Sequence, residues 1–227
     1  AHYGCAGTVC LDKLGILGEN VLMVHCVYLN EKDIRRAKHY GLKVSHNAVS
    51  NMYLSSGVAP VPRMLSAGVT VSLGVDGAAS NNGQDMLELM KSTALLHKVS
   101  TLDPTVITAE KVLEMATIDG ARAVGLEREI GSLEPGKKAD FVIFNPNLSP
   151  KSVPMHNPVS TLVYSSTMQN IETVAVDGAL ILDGGVLTVG KDEKKLLEIA
   201  QKTAEALAER GGITNRGRGH RWRSIAF

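Results

Sequence analysis

Over roughly the first 125 residues, short apolar runs alternate with stretches whose hydrophobic positions recur at helical spacing. NVLMVHC (20–26) predicts a strand, EKDIRRAKHY (31–40) a helix and LKVSH (42–46) a second strand. The next stretch, NAVSNMYLSSG, carries the Asn, Ser and Gly of irregular structure, whereas PVPRMLSAG (60–68) opens on Pro and closes on Gly, as a short helix does. A third strand is predicted where Val69, Val71, Leu73 and Val75 run into Asp76. After it, Met86, Leu89, Met90 and Leu96 fall at helical intervals, and 108–126 predicts further helix with Thr108 as its N-cap. Near-continuous apolar strands alternating with helices imply an α/β fold, a parallel sheet covered on its outer side by helices.

The texture changes near residue 128. GSLEPGKKADFVIFN places a Pro135-Gly136 turn before a strand from Phe141 to Phe144, and NIETVAVDGALILDGG holds two β-rich runs around Asp177-Gly178, a strong hairpin signal. This predicts a second, antiparallel module. From 191 the chain reads as an amphipathic helix with Leu196, Leu197, Ala200, Ala204 and Leu207 on one face, expected to dock on the rest. The last stretch gathers Arg216, Arg218, Arg221 and Arg223 around Trp222 without an acid, a composition compatible with RNA binding but read as a solvated or partner-packed terminus. The boundaries predicted are therefore 1–127, 128–190 and 191–227.

Composition narrows the function. A chain of 227 residues, 44% hydrophobic, supports one large domain, or one and part of another. With 24 basic and 23 acidic residues it has no global field for nucleic acid or an anionic membrane, which leaves a small, weakly charged ligand as the expected partner. No window approaches the roughly 18 to 20 apolar residues of a membrane helix and no signal pattern opens the chain, so the cytoplasm is expected. Cys5, Cys10 and Cys26 are too few and odd in number for a disulfide framework and are read as reduced thiols.

Candidate chemistry lies at the strand ends. VLMVH finishes on His25, LKVSH on His46 and VTVSLGVD on Asp76. In a parallel sheet built from strand and helix units all C-terminal ends share one side, so residues far apart in sequence can meet at one pocket. Imidazole and carboxylate together suit a divalent cation such as zinc, or acid and base work around a bound water. The loop after Asp76 leaves room at Gly77, Ala78 and Ala79, while Ser80, Asn81 and Asn82 offer polar groups or caps for the next helix. His39, His97 and His220 are expected at the surface, and His156 as a structural residue between the two modules.

The segments VHCVYL, VSHNAVSNMYLSSGVAPVPRMLSAGV and SLGVDGAASNNGQDMLELM, in that order and spacing, resemble the cyclic aminohydrolase subgroup of the amidohydrolase superfamily. Within it they are most similar to 5'-methylthioadenosine and S-adenosylhomocysteine deaminases and to the triazine hydrolases. GSLEPGKKADFVIF resembles the small β-sandwich of that superfamily. The resemblance implies the C-terminal part of a (β/α)8 barrel over 1–127, a β-sandwich segment over 128–190, and a C-terminal helix and basic tail over 191–227. It also implies a hydrolytic deaminase of an aminated nitrogen heterocycle, assembled as a homo-oligomer and using one divalent metal ion, Zn first and Fe second. Asp76 then corresponds to the metal-ligating carboxylate that takes a proton from water, His25 to the histidine that hydrogen-bonds that water, and His46 to a substrate-side histidine. The His-x-His, the further metal-binding His and the His-x-x-Glu that such enzymes need are missing, so the chain is expected to be the C-terminal portion of a longer protein and inactive by itself. A triazine or guanine-type hydrolase, or a scaffold without catalysis, are the alternatives.

Overall fold

The apolar runs at the three predicted positions become one sheet. In the computed structural model, which describes residues 7–190 and 192–213, β1 (Leu22–Val24), β2 (Lys43–His46) and β3 (Thr70–Leu73) lie side by side in chain order, all parallel. Val24 pairs with Ser45 and His46 with Leu73, so the three C-terminal ends are level to within about a residue. The ladder continues past them: the His25 N–H donates to the Ser45 carbonyl at 3.0 Å and the Gly74 N–H to the His46 carbonyl at 3.1 Å.

Parallel neighbours require crossovers, and helices supply them. A short α1 (Gly7–Lys13) precedes β1; α2 (Glu31–His39) joins β1 to β2; α3 (Ala48–Tyr53) and α4 (Val61–Ser66) join β2 to β3. α2 starts where the Asn30 side chain accepts from the N–H groups of Lys32 and Asp33 while the Asp33 carboxylate accepts from the Asn30 N–H, a reciprocal cap. Its inward positions Ile34 and Ala37 are fully covered and pack with Val44, Val71, Met64, Leu89 and Val112 in one core. α5 (Ala78–Asn81), α6 (Met86–Thr101), α7 (Ala109–Ala116) and α8 (Ile118–Val124) follow β3.

Three differences from the predicted elements have physical reasons. The segment expected to be irregular contains α3, because Ser50 and Asn51 are buried hydrogen-bonding partners rather than turn residues. α6 is capped by Asp85, whose carboxylate accepts from Leu87 and Glu88, and not by the serine and asparagines at 80–82. Thr108 caps as predicted, accepting from the Lys111 N–H at 3.1 Å, but the expected long helix breaks at Thr117, whose φ of −122° and ψ of −96° leave the helical region. Cys10 on α1 is disulfide-bonded while Cys26 is free, which corrects the expectation of three reduced thiols; an odd count rules out a complete framework but not a single bridge.

The antiparallel module contains β4 (Phe141–Phe144), β5 (Ile171–Val176) and β6 (Ala179–Asp183), with α9 (Pro158–Ser165) before β5. Asp177 and Gly178 turn the hairpin with φ values of 51° and 79°, the left-handed pair that matches the strands' own twist. By contact, one compact unit runs to Gly185 and holds β1 to β6; the other begins at Val186 and contains β7 (Val186–Leu187) and α10 (Glu193–Arg210). α10 starts on Asp192, which accepts from the Lys194 N–H, and none of its residues is buried; Leu197 is 66% exposed. The Arg-rich tail and His220 lie outside the described residues. No helix among the described residues is long and apolar enough to cross a membrane.

Candidate active site

β1 and β3 flank β2, and the residue that matters on each flank follows the end of its strand. Both adopt backbone conformations that side-chain-bearing residues rarely visit: φ is 66° at His25 and 65° at Asp76. Such positions are costly and tend to persist where a site demands them, and His and Asp are among the residue types that tolerate them best. His25 Nδ1 lies 3.0 Å from Asn51 Oδ1. Asp76 Oδ2 accepts from the Ser50 hydroxyl at 2.6 Å, and Oδ1 accepts from the Gly77 N–H at 2.7 Å. His25, Ser50 and Asp76 line the same cavity of about 670 Å³, whose walls include Met23, Val24 and Leu54. That volume accommodates a small molecule, and a mostly apolar wall with a few convergent polar groups is the usual makeup of a ligand site.

The carboxyl of Asp76 is held below the usual carboxylate range, first by the Ser50 hydroxyl, then by the Gly77 N–H, with a smaller contribution from the nearby His25. An ionised acid facing a cavity can bind a cation or take a proton. Among the described residues, however, no group of three or more His, Cys, Asp or Glu converges in a way that could hold a metal ion. Asp76 has the chemistry of a ligand to a divalent metal, but the described residues do not build a complete metal site.

His46 is placed differently. It is 0% exposed and does not line the cavity. Its Nε2 lies 3.1 Å from Nε2 of His97 on α6, the ring centroids 5.0 Å apart, and its Nδ1 is buried without a partner. Burial holds both imidazoles neutral: His46 is pushed down to about 3, with His97 and His25 adding to the effect, and His97 to about 4. So the structure brings His25 and Asp76 to one cavity and sets His46 behind it.

His97, expected at the surface, is 1% exposed. The sequence did contain the signal: Leu89, Thr93 and His97 repeat every four residues along the buried stripe of α6. His39 is exposed as expected, whereas His156, expected between the modules, is exposed as well. Ser50 and Asn51 carry the contacts that the sequence reading missed, since their composition mimics a loop.

Behind the site Gly74 leaves no room for a side chain. An added Cβ would sit 2.5 Å from Ser45 Oγ and 2.9 Å from Asn47 Nδ2, the group that donates to the Gly74 carbonyl at 3.0 Å. Gly74→Ala is therefore expected to destabilise the fold by about 1–3 kcal/mol, the usual range for overpacking, read as a lower urea midpoint at unchanged slope.

Comparison with known proteins places this geometry. The Amidohydrolase family profile matches residues 7–181, most of the chain. The chain belongs to the amidohydrolase family. Over 210 residues this amidohydrolase is 49% identical to a protein of Desulforudis audaxviator named 5-methylthioadenosine/S-adenosylhomocysteine deaminase, an alignment covering 92% of the chain and 48% of the relative. It is 46% identical, with the same coverage, to a 5'-deoxyadenosine deaminase of Methanosarcina mazei. Among solved structures, an adenosine deaminase from Xanthomonas campestris with bound zinc superposes with a TM-score of 0.87 at 33% identity, over 91% of this chain and 47% of that one. A triazine hydrolase variant superposes with a TM-score of 0.82 at 27% identity, over 89% and 44%. The amidohydrolase chain thus spans about half the length of the curated relatives it matches.

Proposed function

We propose that this amidohydrolase supplies one part of the active site of a hydrolytic deaminase acting on an aminated nitrogen heterocycle of the adenosine class, with methylthioadenosine and S-adenosylhomocysteine as the leading substrates. The observation that carries the proposal is the meeting of His25 and Asp76 at one cavity from the same-side ends of β1 and β3, the two parallel strands that flank β2. The names of the relatives support it. In this proposal the three parallel strands belong to the C-terminal part of a (β/α)8 barrel, and β4 to β6 to a small β-sandwich.

Hydrolytic deamination needs a water to lose a proton, a ring carbon to accept the oxygen and ammonia to leave. Asp76, ionised and held by Ser50 and Gly77, is placed to take that proton. His25 keeps one ring nitrogen on Asn51 and has the other for a hydrogen bond within the cavity. His46 stands too deep to touch a substrate and acts as support for the strand that separates the other two. A divalent metal, zinc first and iron second, supplies acidification of water in such chemistry. Because Asp76 is one ligand and the described residues form no complete site, the remaining ligands must come from other residues, and this chain alone is expected to show no turnover.

The test is ammonia release by the whole protein that carries this chain, with zinc present, from adenosine, methylthioadenosine, S-adenosylhomocysteine, guanine and melamine. Turnover is expected for the adenosine-like compounds. Turnover of melamine alone would move the assignment to the triazine hydrolases, and no turnover with no metal in the purified protein would leave a scaffold without catalysis.

A further inference from the structure

Two consecutive residues of α3 each hold one of the two groups at the cavity. Ser50 donates to Asp76 Oδ2 at 2.6 Å and Asn51 Oδ1 meets His25 Nδ1 at 3.0 Å. Both residues are 1% exposed, and neither serves as a cap: α3 begins after Asn47 with no side-chain cap bond. The topology explains how neighbours can serve opposite flanks. α3 starts two residues after the end of the central strand β2, and successive helical side chains diverge by about 100°. One of them can therefore reach the end of β3 while the next reaches the end of β1.

The chemistry of each contact is specific. An amide oxygen only accepts, so a contact at 3.0 Å requires His25 Nδ1 to carry the proton. A neutral imidazole with hydrogen on Nδ1 has a lone pair on Nε2 and can only accept there. For the carboxylate, Ser50 occupies one lone pair of Oδ2 and Gly77 one of Oδ1, which fixes the plane of the group and leaves acceptor capacity on both oxygens.

We infer that Ser50 and Asn51 form a two-residue positioning clamp, in which Asn51 sets the His25 tautomer so that Nε2 is the acceptor and Ser50 sets the orientation of the Asp76 carboxylate. The inference rests on the assignment of His25 and Asp76 as the acting pair. It makes Ser50 and Asn51 positioning residues, which act through those two groups.

The experiment is nitrogen-15 NMR of the histidine-labelled full chain at a pH of about 8, above the ordinary imidazole range, with the His25 signals assigned by their loss in His25→Gln. The expected spectrum shows His25 Nδ1 as the protonated, pyrrole-type nitrogen and Nε2 as the bare, pyridine-type one. Asn51→Leu should move the ring toward the opposite tautomer, and Asn51→Asp, which keeps an acceptor, should retain the original. A wild-type ring protonated on Nε2, which a reversed Asn51 amide would impose, overturns the inference even if the leucine variant fails to fold. So does an unchanged spectrum in a folded Asn51→Leu variant. For the other arm, Ser50→Ala in the whole protein should lower kcat about 10- to 100-fold, the range for lost support of a site ligand, at unchanged KM, with recovery in Ser50→Thr; a change confined to KM counts against it. The tautomer is read without turnover, so a wrong tautomer rejects the clamp and spares the deaminase proposal, while a correct tautomer with no turnover does the reverse.

Discussion

Asp76→Asn is expected to cut turnover of the whole protein about 1,000-fold, within the range for loss of a group that handles a proton in the transition state. The substitution isolates charge from shape. Asparagine is close in size to aspartate and tolerates the left-handed backbone that Asp76 adopts at φ 65°, so the loop should keep its course. One side-chain oxygen survives to accept from Ser50 or from Gly77, but not from both as the carboxylate does. What disappears is the negative charge that those donors stabilise and the capacity to receive a proton at neutral pH. Initial rates of ammonia release, beside a thermal midpoint within a few degrees of the parent, check this. A loss of tenfold or less with the fold intact would remove Asp76 from the chemistry.

The second large effect is acid destabilisation through His46 and His97. Both are neutral when folded, their pKa values depressed to about 3 and about 4, whereas the ordinary value of 6.5 applies to the unfolded chain. Between those limits the unfolded chain binds the extra protons. The stabilisation is therefore complete above about pH 6.5, and it falls as the pH drops, by about 1.4 kcal/mol per pH unit for each histidine. The loss levels off once the folded-state pKa values are passed. Urea midpoints measured from pH 7 down to pH 4 should show this decline, and His97→Leu should flatten it by removing one of the two groups. Identical midpoints at both ends of that range would mean that neither imidazole is kept dry.

What the sequence made legible follows the strength of its periodic signals. The alternation of Val69, Val71 and Leu73 into Asp76 marks β3, and the Asp177-Gly178 pair turns the hairpin, because both patterns are local. His25 and Asp76 could be placed near one another by topology alone, since parallel strands end on one side. Two kinds of feature stayed hidden. Side chains that serve the site, Ser50 and Asn51, read as loop composition because buried polar residues look like turn formers until their partners are known. His46 appeared equivalent to His25, yet its side chain lies behind the cavity against α6, a distinction that depends on packing across 51 residues of chain. The break at Thr117 was equally invisible, as threonine is no strong helix breaker.

The left-handed backbone at His25, Cys26 and Asp76 also limits which residues the cavity mouth can acquire. A saturation library at these three codons, sorted only for soluble expression, should already be enriched in glycine, asparagine, aspartate and histidine, with the resident cysteine kept at position 26, and depleted of valine, isoleucine and threonine, which main-chain geometry disfavours there. Much of what would later look like selection for chemistry would have been imposed beforehand by the shape of the chain.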